Sequence, residues 1–251
     1  MPTSATGVVS ASVPVLPAAY VVARPGTSPS ITVPLRADRP SDLAPWWRDL
    51  AEAADWFAMP MPSYDEFVAA VDVARPPGVA GLVALTVTVV DHPHGAFFAV
   101  TSAPVPATAG DPVRIHVGAA VPERPRDGAP HWLSMALRTT SKGDADQLRR
   151  WLGARGYADG VTASGAPLLG ALVVERDGAL RGIDAAQATS VLDPLWRTGV
   201  IAEFPCTTVH PDVDDQVWWI SPEYRPHPVA ALGDVSFDLP SGGGLPTWWR
   251  A

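Results

Sequence analysis

Apolar residues recur at helical spacing in the first half of the chain. One stripe has seven members, at Leu43, Trp46, Trp47, Leu50, Ala53, Ala54 and Phe57. This period predicts an amphipathic helix over residues 42–57. A second helix is predicted to begin after Ser63, because the Ser63 hydroxyl can cap the first turn while Glu66 reaches back from three residues further on. It should end before Pro76, since the residue before a proline disfavours helical backbone.

Short apolar runs bounded by proline, glycine and serine predict strands around these two helices. They cover residues 7–13, 18–23, 31–35, 82–90, 96–101 and 113–117. The most apolar run, residues 79–90, is too short to cross a bilayer, and its alternating part suits a strand. Together these elements predict an N-terminal α+β domain over residues 1–120.

A polar, proline-rich stretch follows and predicts an interdomain linker over residues 121–133. The C-terminal α/β domain should then cover residues 134–251. Its helices are predicted at residues 144–155 and 184–197, with Pro194 bending or interrupting the second. Its strands are predicted at residues 160–163, 168–174, 200–208, 217–221 and 228–231, with a hairpin turn at residues 176–178.

Charge and composition exclude several classes of protein. The chain has 26 acidic and 18 basic residues and a net charge of -8, which has the wrong sign for a nucleic-acid surface. A single cysteine, Cys206, rules out an intrachain disulfide and a multi-thiolate metal site. His92 and His94 flank a proline that favours a stiff turn over a chelate, so no metal site is predicted. Without a predicted secretory signal or membrane helix, we expect a cytoplasmic protein that does not bind membranes.

Two stretches in the C-terminal half follow the pattern of a known family. Arg138-Thr139-Thr140-Ser141 leads through a predicted helix to Gly156-Tyr157-Ala158-Asp159, and Asp215-Gln216-Val217-Trp218-Trp219-Ile220-Ser221 precedes Arg225 to Val229. In these stretches the chain resembles the fold-type IV pyridoxal-phosphate enzymes, which are the class IV aminotransferases and aminodeoxychorismate lyases. The resemblance implies a two-domain α+β fold like that of D-amino-acid aminotransferase, a homodimer, and an active cleft between the domains.

The resemblance also implies a set of cofactor contacts, and several are altered here. The family binds pyridoxal phosphate through a lysine that later moves a proton. That position falls on Arg138, four residues before Lys142, the only lysine in the chain. Arginine cannot replace it, because a guanidinium stays protonated. Thr189 and Ser190 stand where a phosphate-binding glycine-hydroxyl motif is expected, and residues 166–169 contain no acid for the pyridine nitrogen.

The loop that faces the substrate in the family contains Ser221, Tyr224 and Arg225. Together with Arg138, these residues could bind a carboxylated ligand, because arginine forms bidentate hydrogen bonds with carboxylates. The alternative is an exposed turn whose charges pair with one another. Glu203 is either a catalytic base or an exposed strand residue.

Three functional hypotheses follow, and they leave open whether the chain is an enzyme. The first is a divergent family member with a degraded cofactor site, which binds no pyridoxal phosphate and holds a small carboxylate through Arg138, Tyr224 and Arg225. The second is an active lyase or aminotransferase that uses pyridoxal phosphate and Lys142. The third is a non-catalytic subunit that pairs with an active paralogue through tryptophan-rich surfaces.

Overall fold

The computed structural model describes residues 6–8, 28–36, 41–76, 80–91, 95–118, 139–140, 143–162, 165–182, 189–205 and 210–250. Arg138 and Lys142 lie outside these ranges, and so does the predicted linker. The described ranges also leave out Cys206, the residues from His92 to His94, and the strand predicted at residues 18–23.

A four-stranded antiparallel sheet is formed by strands from the first 104 residues. The strands are β1 (Thr6–Val8), β2 (Ser30–Arg36), β3 (Leu82–Val90) and β4 (Phe97–Pro104), in the order β1-β4-β3-β2. Cross-strand hydroxyl pairs link β2 to β3, with 3.0 Å between Ser30 Oγ and Thr88 Oγ1 and the same distance between Thr32 and Thr86. The register therefore places small polar side chains opposite one another.

Two helices pack their apolar faces on this sheet, namely α1 (Ala44–Trp56) and α2 (Tyr64–Ala74). The predicted apolar stripe of α1 is confirmed by the burial of Trp46, Leu50, Ala53 and Ala54. The predicted cap of α2 is confirmed too: the Glu66 amide donates to Ser63 Oγ at 3.3 Å, and the Ser63 amide donates to Glu66 Oε2 at 2.8 Å.

Seven strands form a second, mixed sheet. They are β5 (Val113–Val117), β6 (Asp159–Val161), β7 (Ala171–Arg176), β8 (Ala179–Gly182), β9 (Gln216–Ile220), β10 (Pro226–Leu232) and β11 (Val235–Ser236). Their order is β6-β5-β10-β9-β7-β8, and β11 adds to β10. β5 runs parallel to both of its neighbours, and the remaining pairs are antiparallel.

The division of the chain differs from the boundary predicted at residues 121–133. One compact unit contains residues 1–104 and 127–142, and the other contains residues 105–126 and 143–251. Strand β5, predicted for the N-terminal domain, thus belongs to the second sheet, while Thr139 bridges to Pro29 in the first unit. Strand propensity identified β5 correctly but does not specify its partner strand.

The second unit also contains the helices α3 (Gly143–Gly153) and α4 (Thr189–Arg197). Leu152 of α3 is buried, whereas Trp151 is 40% exposed, so the predicted apolar face is only partly covered. Pro194 lies inside α4 and does not interrupt it, contrary to one of the predicted alternatives. Within the described residues, no helix is long and apolar enough to span a bilayer.

Candidate functional site

The turn between β9 and β10 contains three of the predicted ligand-binding residues, Ser221, Tyr224 and Arg225. The Ser221 amide donates to the Arg225 carbonyl at 3.0 Å, and the Tyr224 amide donates to the Ser221 carbonyl at 2.9 Å. The Ser221 hydroxyl, in a residue only 5% exposed, accepts from the amides of Glu223 at 3.2 Å and Arg225 at 3.3 Å. These bonds fix the turn, with Tyr224 in the left-handed region at a φ of 64°.

Within the described part of the chain, the guanidinium of Arg225 has one hydrogen-bond partner. Its Nη2 donates to the Ala109 carbonyl at 3.0 Å, and its buried Nε has no acceptor among the described residues. Among the residues that the structure describes, no carboxylate pairs with Arg225. The neighbouring Glu223 pairs instead with Arg149 at 3.4 Å. Arg225 therefore presents an oriented positive charge that the charges of its own turn do not neutralise.

Tyr224 is only 2% exposed, and burial raises the pKa of its hydroxyl far above the ordinary value. Its phenol is therefore neutral at physiological pH. The side chain is packed inside the unit.

His227, which was not among the site residues predicted from the sequence, lies two residues after Arg225 in the chain. Its Nδ1 lies 3.1 Å from the Asp111 carbonyl oxygen, and its ring packs against Trp219, with 5.3 Å between the centroids. Burial lowers the pKa of His227, and the charge of Arg225 lowers it further, while the Asp111 contact and the negative charge of Glu223 act in the opposite direction. His227 is thus an imidazole that resists protonation next to Arg225.

Asp159 is a fully buried carboxylate that accepts hydrogen bonds from five N–H groups. Oδ1 accepts from the amides of Gly160 at 2.7 Å, Leu168 at 3.3 Å and Leu169 at 3.0 Å. Oδ2 accepts from Gly170 at 2.8 Å, Trp219 Nε1 at 2.9 Å and, at 3.2 Å, Leu169. Burial raises the pKa of Asp159, and these bonds oppose that shift. Five converging donors suit an ionised carboxylate.

These contacts test whether the chain fits pyridoxal phosphate at the ring nitrogen. The interval from Ala166 to Leu169 contains no acid, and the acid nearest to it through hydrogen bonds is Asp159. Both oxygens of Asp159 are already occupied by backbone amides and the indole of Trp219. Neither this interval nor Asp159 therefore offers a free carboxylate for that contact. Thr189 and Ser190 are the first two residues of α4, at the helix start predicted for the phosphate contact.

No described hydrogen bond or ion pair joins Glu203 to this turn. Glu203 is exposed and lies two residues after Ile201, whose isolated bridge to Trp249 is the only strand-like pairing described in that segment. This position favours the exposed alternative over a catalytic base. The structure does not describe Arg138, which stands at the predicted position of the cofactor lysine. It does not describe Lys142 either, the alternative Schiff-base lysine.

Solved structures match this chain in fold. A hypothetical aminotransferase from Mycobacterium tuberculosis matches in its apo form with a TM-score of 0.64 and 18% identity, over 95% of this chain and 94% of that one. A fold IV-transaminase from Curtobacterium pusillum matches with a TM-score of 0.54 and 16% identity, over 84% of this chain and 81% of that one. The chain has the fold of the fold-type IV pyridoxal-phosphate enzymes. The predicted fold is thereby confirmed.

Two further comparisons are consistent with this fold-type IV assignment. The Mycobacterium protein with α-ketoglutarate and pyridoxamine phosphate bound gives a TM-score of 0.61 and 19% identity, over 93% of this chain and 90% of that one. A putative 4-amino-4-deoxychorismate lyase from Legionella pneumophila gives 0.53 and 12%, over 86% of each chain. No protein-family model matches the chain, and no curated protein matches it in sequence. These comparisons therefore establish the fold alone.

Proposed function

We propose that this chain is a divergent fold-type IV protein that binds a small carboxylated ligand at the β9–β10 turn, without pyridoxal phosphate. The observation that supports the proposal is the state of Arg225. Its guanidinium is held in place by the Ala109 carbonyl and has no carboxylate partner in the described part of the chain. A half-buried, oriented guanidinium is suited to bidentate pairing with a carboxylate.

The surroundings of Arg225 favour an anion over a neutral ligand. Partial burial weakens the competition from water and strengthens a charged hydrogen bond. The Ser221 hydroxyl accepts from two amides, so its own proton remains to be donated. The guanidinium and this hydroxyl are both donors, as a carboxylate requires.

Calorimetric titration with α-ketoglutarate, the 2-oxo acid bound in one Mycobacterium structure, tests the proposal. We expect Arg225→Gln to weaken binding at least about tenfold, since a lost charge-assisted bond costs roughly 1.5–3 kcal/mol. Arg225→Lys should recover only part of the affinity, because it keeps the charge but loses the planar fork. Arg149→Gln, which removes the exposed arginine that pairs with Glu223, is the matched control and should bind like wild type. Equal affinity in wild type and Arg225→Gln, or no binding in wild type, would refute the proposal.

A working enzyme that uses pyridoxal phosphate and Lys142 is the second candidate, because a pyridoxal-phosphate-bound form is among the solved structures of the same fold. The cofactor would supply an electron sink for carbanion chemistry. Because Lys142 is the only lysine, borohydride reduction after incubation with pyridoxal phosphate can label only that side chain among the lysines. We expect no visible absorption band and no reduced adduct on Lys142 by mass spectrometry. A band that Lys142→Ala abolishes and Arg138→Ala retains would establish the second candidate.

We further propose a cytosolic homodimer that binds neither nucleic acid nor membranes. The family resemblance and the net charge of -8 support this assignment. Light scattering after gel filtration should give twice the chain mass of 26.4 kDa. A monomer that dimerises only with a related chain would favour the non-catalytic subunit hypothesis.

A further inference from the structure

A continuous set of contacts, buried at Asp159 and Trp219 and partly exposed at His227, links Asp159 to the turn that carries Arg225. We infer that Asp159 is a positioning residue for the proposed carboxylate site, acting through Trp219, His227 and the segment at residues 109–111. The inference rests on the proposed function, because it explains how the arginine of that site is held. Asp159 itself contacts no part of the β9–β10 turn in any described hydrogen bond.

The first link is the indole of Trp219. Its Nε1 donates to Asp159 Oδ2 at 2.9 Å, in a residue only 7% exposed. On the side of the indole that faces Gly170 there is no free space. A Cβ added to Gly170 would lie 2.5 Å from Trp219 Nε1 and 2.3 Å from the Ile220 carbonyl oxygen. The carboxylate and the bare backbone of Gly170 therefore confine the indole to one orientation.

The second link crosses from β9 to β10. Trp219 and His227 are direct partners in the antiparallel register, so their side chains lie on the same face of the sheet. Their rings are 5.3 Å apart and inclined at 50°. A rotation of the indole would therefore displace the imidazole.

The third link joins His227 to the segment that holds Arg225. The imidazole packs directly on Gly110, where an added Cβ would lie 2.0 Å from His227 Cε1. The Nδ1 atom of His227 contacts the Asp111 carbonyl oxygen. The Gly110 amide donates to the Pro226 carbonyl at 2.9 Å, and the preceding Ala109 carbonyl accepts from Arg225 Nη2. The imidazole thus sets the position of the carbonyl that orients the guanidinium.

The chain provides a matched control on the same strand. Trp218 is the adjacent residue, is only 1% exposed, and points to the opposite face, where its ring packs against Trp248. Its Nε1 has no acceptor among the residues that the structure describes. Replacing either tryptophan by phenylalanine removes one buried indole N–H, but only the change at Trp219 breaks the link to Asp159.

The experiment compares Trp219→Phe with Trp218→Phe in the full chain, at a temperature where both are fully folded. The α-ketoglutarate affinity should fall about fivefold or more in Trp219→Phe and change less than twofold in Trp218→Phe. Gly110→Ala, which forces the imidazole aside, should weaken binding at least as much as Trp219→Phe. The NMR signals of the His227 ring and the Arg225 Nε–H should move in Trp219→Phe and stay in place in Trp218→Phe.

The NMR readout separates failure of this inference from failure of the proposed function. If wild type does not bind α-ketoglutarate, the proposed function fails, and the His227 and Arg225 signals still show whether Trp219 controls them. Unchanged signals in Trp219→Phe would overturn the inference whatever the affinity. The same holds if both tryptophan variants lose affinity equally, since a general loss of packing would then explain the effect.

Discussion

Asp215 illustrates how a single buried carboxylate stabilises the second unit. It accepts from Arg176 Nε at 2.9 Å, from Arg176 Nη2, and from the Asp212 amide at 2.6 Å. The Arg176 hydrogen bonds lower the pKa of Asp215. We expect Asp215→Asn to reduce the free energy of unfolding at pH 7 by about 1–2 kcal/mol, because it leaves the Arg176 donors only partly satisfied.

The pH dependence of this effect has a definite sign. A lowered carboxyl pKa adds stability above the unfolded-state pKa of about 3.9, and that stability is lost as the pH falls through the folded-state value. Urea unfolding of wild type and Asp215→Asn should therefore give a difference at pH 7 that shrinks towards pH 3. A constant difference between these pH values would contradict the assigned role of Asp215.

At the scale of single residues, the sequence predicted which neighbouring residues lie together, but it did not predict contacts between residues far apart in the chain. Ser221, Tyr224 and Arg225 lie within five residues, so one turn brings them together as expected. The partners of Asp159 come from residues up to 60 positions away, and neither charge nor periodicity connects them. The only signal in the sequence was that Asp159 ends the Gly156-Tyr157-Ala158-Asp159 stretch of the family resemblance.

The cap of α2 is a stabilising feature at the scale of the element. Ser63 and Glu66 satisfy each other's backbone amides, and the Ser63 contacts lower the pKa of Glu66. Ser63→Ala should cost about 1 kcal/mol of stability, since the first turn loses its side-chain acceptor. Ser63→Thr keeps a hydroxyl that can accept from the Glu66 amide and donate to its carboxylate, so it serves as the control in urea unfolding. If alanine and threonine proved equally stable, the cap would contribute nothing measurable.

Elements set by local signals were predicted well, whereas their partners were not. β3 was predicted at its observed bounds, because its apolar residues and the flanking glycine and aspartate define it locally. β5 was also found where predicted, but it pairs in the second sheet. Pairing depends on contacts more than 40 residues apart in sequence, such as that between β5 and β6, and no local pattern encodes them.

At the scale of the whole molecule, the shifted pKa values of four described groups contribute to the response of stability to acid. Burial lowers the pKa of His227, so the unfolded state takes up a proton more readily as the pH falls below about 6.5. Glu66 and Asp215 have lowered values and withdraw their stabilisation only below about pH 4. Asp159, with a raised value, acts in the opposite direction, since its contribution is greatest in acid and declines as the pH rises.

Between pH 7.5 and 5.5, the lowered pKa of His227 should contribute a fall in the free energy of unfolding as the pH falls. His227→Gln removes the titrating group while retaining a hydrogen-bond donor for the Asp111 carbonyl, so the fall should become smaller. His210→Gln, at an exposed imidazole, controls for the loss of a histidine as such. Urea unfolding at several pH values gives the free energy of unfolding of wild type, His227→Gln and His210→Gln. The contrary outcome is that His227→Gln shows the same dependence of the free energy of unfolding on pH as wild type. The His227 imidazole would then take up a proton as easily in the folded chain as in the unfolded chain, and its packing between Trp219 and Gly110 would not persist in solution.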